Sequence, residues 1–509
     1  MKKLLSFLLV AIMACSVVPA MAESTAGADT IVIGITSEPA YLEPNAPAIG
    51  GTEIHVIDQM FEGLVTMNED NSAIVPCLAS DWTISDDGLT YTFNLVPGVT
   101  FSDGTPVKGE DWVWSLLRAR DTETSEYSFI AEAIDKVEAT DSQVVITLKS
   151  PTSAFLAQLC SFNMVLGCKA YAEKMTEDEY IMNPMGTGPY MLKEWNRGNY
   201  VWLVANPNYR DAASVKTPNI KFQVVSDDNT RLMQLQAGQI DIMGDVPASQ
   251  MSVVKSTDGL NLSVYPSTQI RYLLLNTSKE PFNDPAVRKA LAYGINKAEM
   301  AEVVYGEYGA AVASVLSEAH GKFYNTDLQV IPYQPEEAKK MLADAGYPDG
   351  ITFTMSIPNG NEVYEEISVL LQASLAQAGF TMNIEHVESK ILYQNAQSNA
   401  LQCVCYQWSD DYYDPSEVIG WITDYDQSSA WFTFLEDKDL DAEQAAAIIE
   451  QDADKRVKMY WDLQQKIYDN YNVIPLFRNS FAYACNSKVQ GLNVSTFNDY
   501  YCKYLTKSN

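Results

Sequence analysis

Three aspartates fall within five residues in the stretch CYQWSDDYYDPSE, which spans residues 405–417. The aspartates and the aromatic residues around them are Asp410, Asp411, Asp414, Trp408, Tyr412 and Tyr413. Carboxylates placed in this way can form a solvated loop, bind a metal ion, serve as catalytic acids, or hold a cationic ligand. The remainder of the chain helps to choose among these four possibilities.

Metal and catalytic chemistry receive little support from motifs. The aspartates lack the glycine and the glutamate that a calcium-binding EF-hand loop requires at its sixth and twelfth positions. The three histidines, His55, His320 and His386, form no HExxH or HxH motif, which argues against a zinc hydrolase. No phosphate-binding loop, dinucleotide-binding fingerprint or nucleophile elbow is present. Paired acids could serve a glycosidase, but a local cluster is weak evidence in a chain with 66 acidic residues. We therefore expect neither an enzyme nor a cofactor.

Length and charge narrow the class of protein further. The chain has 509 residues, 47% of them hydrophobic, which is too long for one ordinary domain. Its formal net charge of -32 argues against binding to nucleic acid phosphates or to anionic lipid. The simplest consequence of this charge is solubility, and it is also compatible with cationic ligands.

The N-terminus predicts export. MKK is followed by an apolar run from Leu4 to Ala14, and AMA precedes Glu23, so residues 1–22 have the form of a signal peptide. The alternative is a lipoprotein, since IMAC ending at Cys15 resembles a degenerate acylation motif. No other segment is long and apolar enough to cross a bilayer.

The cysteines leave two alternatives open. Cys160 with Cys168, and Cys485 with Cys502, are plausible local disulfides in an exported protein. Buried free thiols are the other possibility. No CxxC motif is present, so neither a zinc site nor thioredoxin-like chemistry is supported.

Strands and helices alternate in the elements that must position the acidic stretch. TIVIGIT, from Thr30 to Thr36, predicts a strand, and the alternation around Tyr91 and Phe93 predicts a half-buried one. Asp284 before Pro285 predicts a helix start, and Gly379 a helix stop. This mixture indicates α/β or α+β layers.

Several blocks along the chain, in this order and spacing, carry a family resemblance. They are FEGLVTMNEDNSAIVPCLASDWTISDDGLTYTFNLVPGVTFSDGTPVKGEDWVWSLLRA (61–119), MGTGPYMLKEW (185–195), LQAGQIDI (235–242) and LLLNTSKEPFNDPAVRKALAYGINKAEM (273–300). The chain resembles the family 5 extracellular solute-binding proteins, which are the oligopeptide- and dipeptide-binding receptors of ATP-binding-cassette (ABC) importers.

The resemblance implies an α/β fold with two lobes around a cleft, like the class II, cluster C periplasmic binding proteins. Lobe I would comprise residues 29–268 and 485–509, with an inserted subdomain at 61–185, and lobe II would comprise residues 273–482. The protein, expected to be a monomer, would close over its ligand and dock on permease subunits at the membrane. ATP hydrolysis would belong to other subunits.

The resemblance also assigns a ligand site. Peptide receptors of the family carry Trp-x-x-Asp-(x)3-Pro, matched here by Trp408, Asp411 and Pro415, and in them this aspartate binds the peptide ammonium group. Gln407 and Ser409 would pair their backbone with the peptide, and the ligand-binding segment would be faced by Gly51 and Thr52. Tyr406, Trp408, Tyr412 and Tyr413 would be either walls of the site or core residues, and a wall is favoured for Trp408. If the segment is extended, Asp410 is expected to face the other way from Asp411, and Asp414 is expected to occupy a turn.

One departure from the family pattern bears on ligand length. Dipeptide receptors place a carboxylate-binding arginine near the segment that corresponds to Ser356–Glu366, which here contains neither Arg nor Lys. This favours longer peptides. An oligosaccharide remains the main alternative ligand, a nickel complex is disfavoured by the scarcity of histidine, and a secreted hydrolase is the least favoured function.

Overall fold

A computed structural model describes residues 29–68, 72–425 and 428–508 of the chain. The predicted signal peptide 1–22 and the alternative acylation site Cys15 lie outside the described residues. Within the described ranges, no helix combines the length and the apolar character that a membrane crossing requires.

A seven-stranded mixed sheet contains strands from both the N-terminal and the C-terminal parts of the described chain. Its strands, in spatial order, are Leu260–Tyr265, Phe481–Asn486, Ile242–Met243, Thr30–Ile35, Asn219–Val224, Tyr200–Ala205 and Tyr190–Asn196. The predicted strand at Thr30 is confirmed and is buried along its whole length. It pairs in parallel with Asn219–Val224 and with Ile242–Met243, as expected of an apolar strand covered on both faces.

A six-stranded sheet carries the acidic stretch. Its spatial order is Ala310–Ala311, Val473–Arg478, Ile270–Leu275, Cys403–Trp408, Ile351–Pro358 and Phe380–Val387. Alternate residues of Ile270–Leu275 enter two different hydrophobic clusters, one on each face of the sheet. The acidic residues begin directly after Cys403–Trp408, so a strand buried in this sheet fixes where they lie.

A smaller antiparallel sheet has four strands in the order Ala79–Ile84, Thr90–Leu95, Gln143–Leu148 and Ile134–Thr140. Tyr91 and Phe93 are buried on one face, as their alternation predicted, and they share a core with Trp112. Two short ribbons complete the strands, Val65–Met67 with Ile74–Pro76 and Val489–Gln490 with Thr506–Lys507.

Helices cover the sheets and connect their strands. The α-helices are Gly51–Met60, Gly109–Asp121, Ser128–Ala131, Phe155–Gln158, Lys169–Ala172, Glu177–Met182, Asp228–Gln236, Ala248–Ser256, Pro285–Tyr293, Lys297–Tyr305, Pro335–Asp344, Glu362–Gln377, Ser389–Gln397, Ser416–Thr423, Ser428–Trp431, Lys438–Ile449 and Ala453–Asn470. The 3-10 helices are Ala212–Ser214, Gly306–Tyr308, Glu318–Phe323 and Cys502–Tyr504. The predicted start at Pro285 is confirmed, because Asp284 Oδ1 accepts the backbone N–H of Ala286 at 2.8 Å.

The chain passes between the two large sheets at two places. Leu260–Tyr265 belongs to the seven-stranded sheet and the next strand, Ile270–Leu275, to the six-stranded sheet. The return occurs between Val473–Arg478 and Phe481–Asn486. Only residues 266–269 and 479–480 separate these strand pairs, so two short segments link the sheets.

Candidate ligand-binding site

A cavity of about 870 Å³ lies beside the acidic stretch. Its lining comes from distant parts of the chain, which include helix Gly51–Met60, residues 126–129 and 160–162, the end of strand Cys403–Trp408 with the segment that follows it, and the C-terminal residues 497–501. The volume lies within the range of pockets that enclose small molecules and short peptides.

Strand Cys403–Trp408 presents an unpaired backbone edge along this cavity. On one side it pairs along its full length with Ile270–Leu275. On the other side Ile351–Pro358 pairs only with Cys403 and Val404. Among the described residues, no strand occupies that second edge from Cys405 to Trp408, so an extended chain could add there.

The structure brings together most of the residues predicted from the sequence. Those that line the cavity are Tyr406, Gln407, Trp408, Ser409, Asp411 and Gly51. A side chain added at Gly51 would meet no protein atom within 4 Å, which shows open space beside it. Thr52, which was also predicted, is not among the described residues that line the cavity. Its hydroxyl lies 3.0 Å from the hydroxyl of Ser37.

Asp411 and Glu417 bring two carboxyl groups together at the cavity. Their side chains hydrogen-bond each other, and Glu417 Oε2 also accepts the backbone N–H of Asp411 at 2.8 Å. Burial raises the pKa of Asp411 to about 7, partly offset by the hydrogen bond with Glu417 and reinforced by the charge of Asp410. Burial and the charges of both aspartates raise the pKa of Glu417 well above its usual range. Near neutral pH the pair therefore holds a proton that a cation could replace.

Asp410 was expected to face the other way from Asp411 if the segment was extended, and the structure does not extend the strand that far. Asp410 borders the cavity, but its side chain is only 3% exposed and its Oδ2 lies 3.0 Å from Nε2 of His320. Burial opposes the charging of His320, but the Asp410 carboxylate outweighs it and raises the pKa of the imidazole. The alternation of side chains applies only within a strand, and the strand ends at Trp408 before Asp410 is reached.

Asp414 occupies a turn, as predicted, and also forms a buried ion pair. Its Oδ1 accepts the backbone N–H of Ser416 at 2.9 Å, just where helix Ser416–Thr423 begins. Both carboxylate oxygens accept from Arg456, at 2.8 and 2.6 Å. This bidentate pair anchors the end of the acidic stretch to helix Ala453–Asn470.

A second acidic pair, Asp58 and Asp499, faces the same cavity and was not predicted. Burial and the neighbouring Asp499 raise the pKa of Asp58 well above its usual range. Burial raises the pKa of Asp499 to about 6, against hydrogen bonds with Ser495 and Tyr413. The helical spacing of Gly51, Ile54 and Asp58 puts all three on the face that lines the cavity. That spacing was the one available sequence signal, while Asp499 joins the site only through folding.

Aromatic side chains form the walls. The rings of Tyr406 and Trp408 stack with centroids 6.4 Å apart, and Trp408 contacts Trp421 and Trp431 at 6.1 Å. Trp408 thus lines the cavity while packing against the core of the six-stranded sheet. Tyr412 and Tyr413 were each expected to be either a wall or a core residue. Tyr412 is buried in the core of the four-stranded sheet, whereas Tyr413 lines the cavity.

The described lining contains no Lys, Arg or His. Likewise, no group of three or more potential metal ligands occurs in the part of the chain that the structure describes. An arginine does lie near the segment Ser356–Glu366, because Arg271 stacks over Tyr364 at 4.7 Å. It comes from a neighbouring strand and is not among the described residues of the cavity wall.

The described cysteines contain no disulfide. Cys77, Cys160, Cys168, Cys403, Cys405, Cys485 and Cys502 are all free, and five of them are buried. Neither of the two plausible disulfides is present among these residues, and the alternative of buried free thiols holds. Burial raises the pKa of Cys485 to about 12, so this thiol stays protonated and unreactive.

Comparison with known proteins assigns the chain to a family. Residues 73–430 match the model of the bacterial extracellular solute-binding proteins, family 5 Middle. The glutathione-binding protein GsiB of Salmonella typhi is 28% identical over 450 residues, which cover 86% of each chain.

Solved structures agree on the fold. The periplasmic binding protein DppA from Helicobacter pylori, in complex with peptide STSA, has a TM-score of 0.79 and 23% identity, covering 93% of this chain and 98% of its own. NikA from Brucella suis, in complex with Fe(III)-EDTA, has a TM-score of 0.86 and 20% identity, covering 94% of this chain and 100% of its own. The protein belongs to family 5 of the bacterial extracellular solute-binding proteins, and is therefore a substrate-binding receptor of an ABC importer and not an enzyme.

Proposed function

We propose that this receptor captures oligopeptides by their free N-terminus, with Asp411 as the partner of the peptide ammonium group. The observation that carries the proposal is the position of Asp411. Its carboxyl group lies in the cavity three residues after Trp408, where the unpaired backbone edge of the strand ends. A peptide added to that edge would bring its charged end towards the acidic group.

The energetics support an ammonium ligand. Asp411 is half-buried beside Glu417 and Asp410, and partial burial next to two other acids makes its ionised form costly in the empty protein. An ammonium group supplies positive charge and three donors, and charge-assisted hydrogen bonds are stronger than neutral ones. Binding would then release the proton that the acidic pair holds when empty.

Strand addition would provide affinity that does not depend on side chains. Gln407 and Ser409 line the cavity next to the free edge, and a peptide backbone could hydrogen-bond them. Gln269 orients this segment by donating from Nε2 to Ser409 Oγ at 3.1 Å. Tyr406 and Trp408 would flank the peptide as walls.

Relatives support a peptide ligand without determining it. DppA from Helicobacter pylori was solved with a tetrapeptide, and GsiB relatives are named for glutathione. NikA from Brucella suis was solved with a metal chelate, so the fold alone does not specify the ligand. The acidic group at Asp411 favours an ammonium-bearing ligand over an anionic chelate.

We further propose a two-lobe arrangement with a hinge. The seven- and four-stranded sheets would form lobe I, including an inserted subdomain at 61–185, and the six-stranded sheet would form lobe II. The linkers 266–269 and 479–480 would be the hinge, the second a few residues earlier than the boundary of 482–485 expected from the sequence. Contacts between the proposed lobes would hold the closed form, including Ser161 Oγ donating to the Asp411 carbonyl at 3.2 Å.

Delivery completes the proposed cycle. Export through the signal at residues 1–22, or anchoring through Cys15, would place the receptor outside the cytoplasm. The closed monomer would then dock on permease subunits in the membrane. Its net charge of -32 favours free diffusion over adsorption to anionic lipid.

An oligosaccharide is the second candidate ligand, favoured by the aromatic walls. The stacked Tyr406 and Trp408 present ring surfaces of the kind that sugars contact. A neutral sugar, however, would leave the Asp411 carboxyl group without a charged partner. The two candidates therefore differ in whether the ligand must carry a positive charge.

A thermal-shift panel tests the proposal. Unblocked tripeptides to pentapeptides at a hundredfold excess over Kd should stabilise the protein by about 2.7 kcal/mol. Neutral oligosaccharides of similar size should give no shift. A shift with sugars and none with peptides would reject the peptide proposal.

A further inference from the structure

Acidic groups of the cavity have no basic counterparts in its described lining. The lining has no Lys, Arg or His, and it contains five acidic residues: Asp58, Glu126, Asp410, Asp411 and Asp499. A peptide without charged side chains carries one ammonium and one carboxylate group. Its net charge is zero, so its binding does not reduce the excess of negative charge in the cavity. The distribution of the five acids indicates where additional positive charge would bind.

One ammonium group would balance the negative charge that remains on the acidic residues around Asp411. Asp410 already has a partner, because its Oδ2 lies 3.0 Å from Nε2 of His320. Asp411 and Glu417 share a hydrogen bond, so together they behave as one negative charge once a proton is held between them. The peptide N-terminus would pair with that charge.

The second pair, Asp58 and Asp499, lacks any cation among the described residues of the cavity. Asp58 Oδ2 is buried and has no hydrogen-bond partner in the described structure. Asp499 Oδ2 lies 3.3 Å from the hydroxyl of Ser495 and 3.5 Å from that of Tyr413, which are neutral donors. A buried carboxylate without a partner is costly, and a ligand cation would remove that cost.

Basic residues of an adjoining pocket are engaged elsewhere. Arg210 Nη2 pairs with Glu62 Oε1 at 2.7 Å. Lys503 Nζ lies 3.3 Å from the hydroxyl of Tyr209 and also faces aromatic rings. Among the residues that the structure describes, neither Asp58 nor Asp499 therefore forms an ion pair with these basic groups.

We infer, resting on the proposed peptide function, that the cleft selects peptides with a basic side chain close to the N-terminus. The peptide ammonium group would pair with Asp411, and a lysine ammonium or arginine guanidinium group would pair with Asp58 and Asp499. Asp410 Oδ1, which is also buried without a partner in a residue only 6% exposed, adds to the negative potential between the two positions.

The two acidic positions are close enough for one short peptide. Asp499 contacts the hydroxyl of Tyr413, and Tyr413 is only two residues beyond Asp411. Two residues span about 7 Å, and a tyrosine side chain adds a similar length. A lysine or arginine in the first three positions of an extended peptide therefore reaches from one acidic pair to the other. Tyr413 and Phe497, whose ring centroids are 3.7 Å apart, offer aromatic surface to the cation.

Isothermal titration calorimetry with six tripeptides tests the inference. Lys-Ala-Ala, Ala-Lys-Ala and Ala-Ala-Lys would each be compared with the peptide that carries uncharged norleucine in place of lysine. At one position or more, lysine should bind about tenfold tighter or better. Asp58→Asn and Asp499→Asn should each reduce that preference. Asp58→Asn should fold, because Asp58 is only half-buried and its Oδ2 forms no hydrogen bond in the described structure.

Glu126→Gln is the matched control, since Glu126 also lines the cavity but is exposed to solvent. It should leave the lysine preference within about twofold, because exposed charges are screened. If the lysine and norleucine peptides bind equally at all positions while N-acetylation of the peptide still abolishes binding, the inference is overturned and the proposed function is kept. If neither the norleucine substitution nor N-acetylation changes binding, the inference and the proposed function are both overturned. A lysine preference that survives Asp58→Asn and Asp499→Asn would overturn the assignment to this pair.

Discussion

The carboxyl group of Asp411 hydrogen-bonds that of Glu417, with Glu417 buried and Asp411 half-buried at the cavity. The arrangement places two acids of like charge together at the end of an open strand edge. It is unfavourable when both are ionised, and it is relieved by either a proton or a ligand cation. This relationship links the stability of the empty receptor to the charge of its ligand.

The first prediction concerns the pH dependence of stability without ligand. The pKa of Asp411 is about 7 in the folded protein, far above its usual value of 3.8. Between these values the folded state binds more protons than the unfolded state, so this group's contribution to stability falls as pH rises through about 7. Asp411→Asn should therefore melt higher than wild type at about pH 8, and this advantage should shrink at about pH 5.

Comparing the two proteins separates Asp411 from other groups that titrate in this range, such as Asp499, whose pKa burial raises to about 6. Glu126→Gln serves as the control, because Glu126 lines the same cavity but is exposed. It should change the melting temperature little at either pH. An Asp411→Asn advantage that is equal at both pH values would show that Asp411 does not titrate near neutrality.

The second prediction concerns the buried ion pair that anchors the acidic stretch. Asp414 and Arg456 have side chains only 6% and 7% exposed. Arg456→Met leaves the Asp414 carboxylate without a charged partner, and should cost about 3 to 5 kcal/mol of the free energy of unfolding. Chemical denaturation measures this loss.

Lys458 supplies the matched control on the same helix. It pairs with Asp462 at 2.9 Å, but both side chains are exposed, at 75% and 58%. Lys458→Met should cost less than about 0.5 kcal/mol. If the two variants lose equal stability, the Asp414–Arg456 pair does not anchor the segment.

The third prediction concerns the thiols. All seven described cysteines are free, so dithiothreitol should leave the melting temperature of the purified protein unchanged. Alkylation after unfolding without reductant should label every cysteine from Cys77 to Cys502. A linked Cys485–Cys502 peptide in a tryptic digest would contradict the structure at that point.

Local patterns predicted the elements of the fold well, because capping and alternation act over a few residues. Pro285 begins its helix and Thr30 its strand as their flanking residues indicate. Asp411 was predicted as a ligand-binding residue from the resemblance of its segment to the family's Trp-x-x-Asp-(x)3-Pro motif, and not from a local folding pattern. The structure then places Asp411, Trp408 and Gly51 around one cavity.

The remaining parts of the site depend on contacts that no local pattern records. Asp499 meets Asp58 only because the C-terminal segment returns to the first helix. The expected orientation of Asp410 depended on an extended segment, and the strand ends at Trp408, before Asp410 is reached. Glu417 stood within the acidic stretch itself, but its pairing with Asp411 requires the turn at Asp414, which brings helix Ser416–Thr423 back towards the cavity.

The most direct test of the ammonium role of Asp411 is calorimetry with one pentapeptide, free and N-acetylated, against wild type and Asp411→Asn. Wild type should bind the free peptide at least about thirtyfold more tightly than the acetylated one, which corresponds to about 2 kcal/mol or more. In Asp411→Asn the free peptide should lose most of that advantage. Equal affinity of wild type for the two peptides, or normal binding of the free peptide by Asp411→Asn, would contradict the assignment of Asp411 to the peptide amino end.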